Sequence, residues 1–261
     1  MLETLLSLCL LSGTWLTLRG GFIGPGRGLQ VIGYDTNALG LGGLAVAAAM
    51  YFYGWMFGIA LIITVAIHEF GHVAAFRVCG HSDARFRLIP LFGGVAISNQ
   101  TPSRQDMDFF ISLMGPAICL APMMVFFAVS DMIVEQSWEA ANFLYILGLT
   151  MGSLNFFNLL PFWPLDGGKI TRILTHTYIP WATRPVTIAM SVAAAALAVL
   201  THSYFLLIFV LMGWQSAIQS ERLIEVQRPM TKPRGALALA AYLATAATFF
   251  AGGYPLLRGF F

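Results

Sequence analysis

The sequence predicts an all-α polytopic membrane protein of about eight membrane segments, one of them a broken helix. Three observations carry this. Hydrophobic residues make up 58% of the 261-residue chain and charged residues 10%, with mean hydropathy +0.76; soluble domains carry about 25% charged residues. Apolar runs long enough to cross, or nearly cross, a bilayer recur from end to end. Pro161 and Pro164 interrupt one region, and they free backbone carbonyls that lipid cannot satisfy.

The runs lie at about 2–18, 38–54, 56–79, 107–130, 140–160, 184–201, 203–219 and 236–257. The first is expected to be a retained span. It opens with Glu3 in place of a basic region, and its first basic residue, Arg19, follows the apolar stretch. The second and third are nearly continuous, broken only around Tyr53-Gly54-Trp55, so a single kinked helix is the alternative there. Arg77, Arg85, Arg87 and Arg104 follow the third run, and Asp131, Glu135 and Glu139 follow the fourth without Lys or Arg. Arg222, Arg228, Lys232 and Arg234 precede the last. The positive-inside rule then puts the Arg-bearing loops in the cytoplasm and both chain ends outside.

The chain is expected to form one membrane-embedded domain over residues 1–261. Its longest polar connection, about 80–106, is too short for an inserted soluble module. A net charge of +2 argues against nucleic-acid binding. Cys9, Cys79 and Cys119 lack metal-ligand spacing and read as small packing residues.

One pattern carries chemistry. Near the end of the third run stands Ile67-His68-Glu69-Phe70-Gly71-His72. Positions i and i+4 of a helix share a face, so both imidazoles can reach one cation, with Glu69 beside them. Two neutral nitrogen ligands and a carboxylate able to take a proton from water are the parts of a zinc hydrolase. With five His and six Glu in the chain, random placement yields about 0.002 occurrences of this pattern. The bland reading is two histidines capping the wet end of a helix. At bilayer depth, however, ionisable side chains default to function. At 1.5 Å per residue, His72 lies roughly 10 Å below the inner boundary at Cys79.

Such a site wants a third protein ligand and an open position. Asp166 is the only acidic residue between Glu139 and Glu221, and it sits in Asn158-Leu159-Leu160-Pro161-Phe162-Trp163-Pro164-Leu165-Asp166-Gly167-Gly168. It is expected to open a short helix as its N-cap, with Lys169 and Arg172 toward the cytoplasm. A plain capping role is the alternative to ligation. Trp55, Trp163, Trp181 and Trp214 read as interfacial belt residues, and His81, His176 and His202 as loop or surface groups.

Together these residues resemble the site-2 protease family of intramembrane zinc metalloproteases. The resemblance rests on His68-Glu69-Phe70-Gly71-His72 as its first motif and on Asn158-Leu159-Leu160-Pro161 through Leu165-Asp166-Gly167 as its second. It covers about residues 56–178, the expected catalytic core, with 1–55 and 179–261 as accessory membrane segments. Leu91-Phe92-Gly93-Gly94-Val95 looks like the family's small membrane-associated β-loop, which completes the expected fold class. Cys119, after Gly115-Pro116, departs from the family's usual Asn.

The resemblance implies one zinc ion held by His68, His72 and Asp166, with Glu69 as general base. It implies a transmembrane protein substrate within the lipid bilayer, in the cell (inner) membrane of a prokaryote, with the active site toward the cytoplasm. Asn155 and Asn158 are candidates for oxyanion stabilisation or for support behind the metal ligands, with plain helix–helix hydrogen bonding the alternative. The segment Arg85–Ile97, with Gly93 and Gly94, is a candidate for strand addition by an unwound substrate, or simply an interfacial loop. Two rivals remain: a transporter or channel with an ion site at the broken helix, and a catalytically inactive relative that binds membrane helices. Substrate identity, gating and oligomeric state are not legible in the sequence.

Overall fold

The computed structural model describes residues 2–22, 31–32, 36–87, 95–200, 202, 207, 210 and 223–258. It is mostly helical, as expected. In chain order come α1 (Leu2–Phe22), strand β1 (Val31–Ile32), α2 (Thr36–Tyr53), α3 (Trp55–Val78), β2 (Arg85–Arg87) and β3 (Val95–Ile97). Then follow α4 (Gln105–Ala117), α5 (Leu120–Ile133), α6 (Trp138–Asn158), α7 (Asp166–Tyr178), a 3-10 turn (Pro180–Ala182), α8 (Thr183–Leu200) and α9 (Lys232–Leu257). Among the described residues six helical stretches are long and apolar enough to cross a membrane: Leu5–Phe22, Trp55–Val78, Gln105–Ile133, Trp138–Asn158, Pro180–Leu200 and Lys232–Leu257. The expected run at 203–219 falls largely outside the described residues.

The ambiguous stretch 38–79 forms two helices. Gly54 separates α2 from α3 with φ +92°, a backbone state open to glycine and strained for other residues. Two compact units divide the chain, and each has its own packing. The first comprises Met1–Gln100, Met114–Phe156 and Thr245–Phe261. In it, α3 packs against α1 and α2. Arg77, in the last turn of α3, is buried, and its Nη2 and Nε donate to the Ala84 carbonyl at 3.0 and 3.2 Å. It thus pins the chain leaving the helix, and it is not a solvated loop charge. The sheet has order β1-β2-β3, with β1 parallel to β2 and β2 antiparallel to β3 in the register Phe86↔Ala96. The strands fall at the two ends of the expected Arg85–Ile97 loop. Gly93 and Gly94 lie outside the described residues.

The second unit comprises Thr101–Leu113 and Phe157–Ala244. Gln105, fully buried, accepts the Met230 N–H at 3.1 Å and donates to the Ile224 carbonyl at 3.4 Å. Phe162, Leu165, Ala194 and Val210 form a buried apolar cluster, with Phe157 and Leu160 packed on it. The broken segment between α6 and α7 is therefore built into protein, as irregular backbone in a membrane must be.

Trp55 and Trp181 are 59% and 82% exposed at helix starts, consistent with a belt. Trp163 is 7% exposed and its ring lies 4.9 Å from the Arg172 guanidinium carbon. It is a core residue, contrary to expectation, because it shields a buried cation. His81 is likewise buried, edge-on to the Phe76 ring with Nδ1 3.2 Å from Ser98 Oγ, and is not a solvated loop group.

Candidate metal centre

α3 delivers the first part of the site by helical geometry alone. His68 and His72 are 4% and 7% exposed, one turn apart on one face. Their Nε2 atoms converge to 3.2 Å, with ring planes at 78°. His68 Nδ1 lies 2.7 Å from Asn155 Oδ1. The amide's own Nδ2 is committed to the Met151 carbonyl at 2.8 Å, so Oδ1 is the acceptor and His68 Nδ1 carries the proton. The lone pair of His68 is therefore on Nε2, the atom facing His72.

Gly115 makes room for the second ring. A Cβ there would fall 2.2 Å from His72 Nε2, so only glycine lets α4 approach this closely. Glu69, half-buried, turns toward the sheet, where its Oε2 accepts the Ala96 N–H at 2.9 Å. That contact engages one of its two carboxylate oxygens.

In the second unit Asp166 is the first residue of α7 and is 5% exposed. It is not the N-cap, as the sequence suggested. That place belongs to Leu165, in extended conformation and without a side-chain cap bond. Pro164 disfavours helix at Trp163, the residue before it, and the helix opens at Asp166, one residue earlier than an Asp166 cap would set it. The Asp166 carboxylate accepts a hydrogen bond from Lys169 Nζ at 3.0 Å. Lys169 is partly exposed, whereas Arg172, expected to face the cytoplasm, is buried. A Cβ at Gly167 would fall 2.1 Å from the Leu159 carbonyl oxygen. The Asp-Gly pair thus lets the first turn of α7 nest into the carbonyls left by the broken helix. Tyr242 Oη, from α9, donates to the same Leu159 carbonyl at 2.6 Å.

Among the described residues, His68, His72 and Asp166 each offer one ligand atom of a kind that can hold a metal ion, and all three are buried. Two imidazole nitrogens and a carboxylate oxygen suit zinc and leave a fourth position open.

Asn158, the other asparagine singled out in the sequence, ends α6 and is half-buried. Sequence reasoning missed three contributors. Gly115 is meaningful only once α4 lies on α3. Ala96 acts through its backbone, which leaves no side-chain signature. Tyr242 lies eighty-three positions from its partner.

The sequence profile of peptidase family M50 matches residues 56–136 and 130–200. A zinc metalloprotease of Methanocaldococcus jannaschii is 28% identical over 190 residues, covering 71% of this chain and 55% of that protein. Stage IV sporulation protein FB of Bacillus subtilis is 30% identical over 125 residues, covering 47% of this chain and 41% of that one. The chain spans about half the length of the curated relatives it matches. Among solved structures, the site-2 protease from Methanocaldococcus jannaschii aligns over 69% of this chain and 87% of that one, at 23% identity and TM-score 0.49. With more than half of its length matching the family profile, and with both motif segments inside the match, the chain belongs to peptidase family M50, the site-2 protease family.

Proposed function

We propose that this chain is an intramembrane zinc metalloendopeptidase that hydrolyses peptide bonds within or near transmembrane segments of membrane proteins. The observation that carries the reading is the convergence of two buried imidazole Nε2 atoms at 3.2 Å on a helix long and apolar enough to span a membrane, with Glu69 adjacent. His68 Nε2, His72 Nε2 and the Asp166 carboxylate would hold the ion. Zinc bound there supplies Lewis-acid chemistry, polarising a carbonyl and lowering the pKa of water.

Every other role falls to the protein. Glu69, anchored through Oε2 to the Ala96 N–H, takes a proton from the attacking water on its free oxygen and returns it to the departing amine. Asn158 is the candidate donor to the developing oxyanion. β3, a sheet edge among the described residues, offers backbone groups to an unwound substrate segment. The residues 85–97 around it, Gly93 and Gly94 included, would form the substrate loop. Residues 56–178 form the catalytic core, with 1–55 and 179–261 as accessory segments. Eight crossings, both termini outside and the site toward the cytoplasm of a prokaryotic cell membrane complete the reading.

Co-expression with tagged single-span membrane proteins tests it, wild type beside Glu69→Gln. The amide keeps an oxygen for the Ala96 N–H but cannot take a proton. Cleavage should fall by about 10²–10⁴-fold with zinc content unchanged. Equal cleavage by both proteins would remove Glu69 from the role of base.

A further inference from the structure

Metal-binding histidines are held by what their second ring nitrogen touches, and here that partner comes from another helix. Asn155 is fully buried on α6, 87 positions from His68, with Oδ1 2.7 Å from His68 Nδ1. Both ends of the amide are engaged, since Nδ2 donates to the Met151 carbonyl at 2.8 Å. That second bond fixes which amide atom faces the imidazole. The amide thus joins α6 to α3 and cannot turn without losing buried hydrogen bonds.

We infer that Asn155 is a positioning residue: it keeps the proton of His68 on Nδ1 and so presents Nε2 as the metal ligand. This rests on the proposed function, in which His68 binds zinc. An asparagine suits the task better than an oxyanion role, because an oxyanion takes an N–H donor and this amide's Nδ2 is turned to the Met151 carbonyl. A neutral acceptor fixes the tautomer without adding a third acid to a site that holds Glu69 and Asp166. Without it, the imidazole could place its proton on Nε2 and turn the wrong nitrogen toward the ion.

The test compares zinc dissociation constants of the detergent-purified full-length chain, measured by chelator competition. The proteins are wild type, Asn155→Leu, Asn155→Asp and His68→Ala. Asn155→Leu keeps the bulk but not the acceptor and should weaken zinc binding by about 10–100-fold. Asn155→Asp restores an acceptor oxygen and should recover most of that loss, which a merely space-filling role would not allow. Nitrogen-15 spectra of histidine-labelled wild type should show His68 protonated at Nδ1 and metal-bound at Nε2. Wild-type zinc affinity in Asn155→Leu, or coordination of His68 through Nδ1, would overturn the inference. Should Asn155→Leu fail to fold, the wild-type spectrum decides alone. Undiminished zinc affinity in His68→Ala would instead sink the parent reading, so the two failures are distinguishable.

Discussion

Replacing Gly115 with alanine puts the geometry of the site under direct stress. The added methyl would sit 2.2 Å from His72 Nε2, 2.3 Å from Cε1 and 2.7 Å from Cδ2, where ordinary contact begins at 3.4 Å. The ring must therefore retreat by roughly 1.2 Å, the gap between the first and last of these distances, or α4 must move. A shift of about 1 Å in a reacting group costs on the order of 10²-fold in rate, and this shift displaces a metal ligand as well. Stability pulls two ways. Glycine to alanine inside a helix gains about 0.5–1 kcal/mol, while overpacking costs about 1–3 kcal/mol, so the variant should fold. Zinc stoichiometry by metal analysis and cleavage of a tagged single-span substrate provide the assay. Gly13→Ala is the matched control, since a Cβ on α1 there meets nothing within 4 Å. Zinc loss with at least about 100-fold slower cleavage is expected for Gly115→Ala, and wild-type behaviour for Gly13→Ala. A Gly115→Ala protein that binds zinc as the wild type does would refute the claim that His72 faces α4 in the working site.

Other consequences are smaller. Tyr242→Phe deletes the bond to the Leu159 carbonyl at 2.6 Å, worth about 1 kcal/mol. A drop of about 2–4 °C in Tm should follow, and an unchanged Tm would mean that α9 does not brace the broken segment. Asp83 accepts the Asn99 N–H at 2.6 Å and the Ser98 hydroxyl at 2.9 Å. The Asn99 bond above all holds its carboxyl below the usual carboxylate range. A depressed acid stabilises above its unfolded pKa and loses that contribution as pH falls through its folded value. The protection factor of the Asn99 amide, just beyond β3, should therefore fall at acid pH and stay flat from about pH 5 to 7. Asp83→Asn should abolish that pH step.

Much of this was legible because membrane helices write themselves in composition. α1, α3, α6, α8 and α9 follow apolar runs whose length alone implies a span. The His68–His72 pair needed only the helical repeat. What stayed ambiguous lacked a one-dimensional signal. The break expected around Gly54 separates two strongly apolar stretches, and the positive φ there decides between two helices and one kinked helix. Asp166 reads as a cap because acids commonly are, but the helix already includes it and Leu165 holds the cap position. Trp163 read as a belt residue until Arg172 was found against its ring. β1, at Val31–Ile32, is too short to stand out in sequence and exists through its pairing with β2.

Zinc K-edge absorption and metal analysis of the purified chain, wild type beside Asp166→Ala, bear most directly on the metal centre. One zinc per chain is expected, bound through two imidazole nitrogens and oxygen ligands, and lost when the Asp166 carboxylate is removed. A full complement of zinc in Asp166→Ala with an identical spectrum, or sulfur in the coordination sphere, would contradict the assignment.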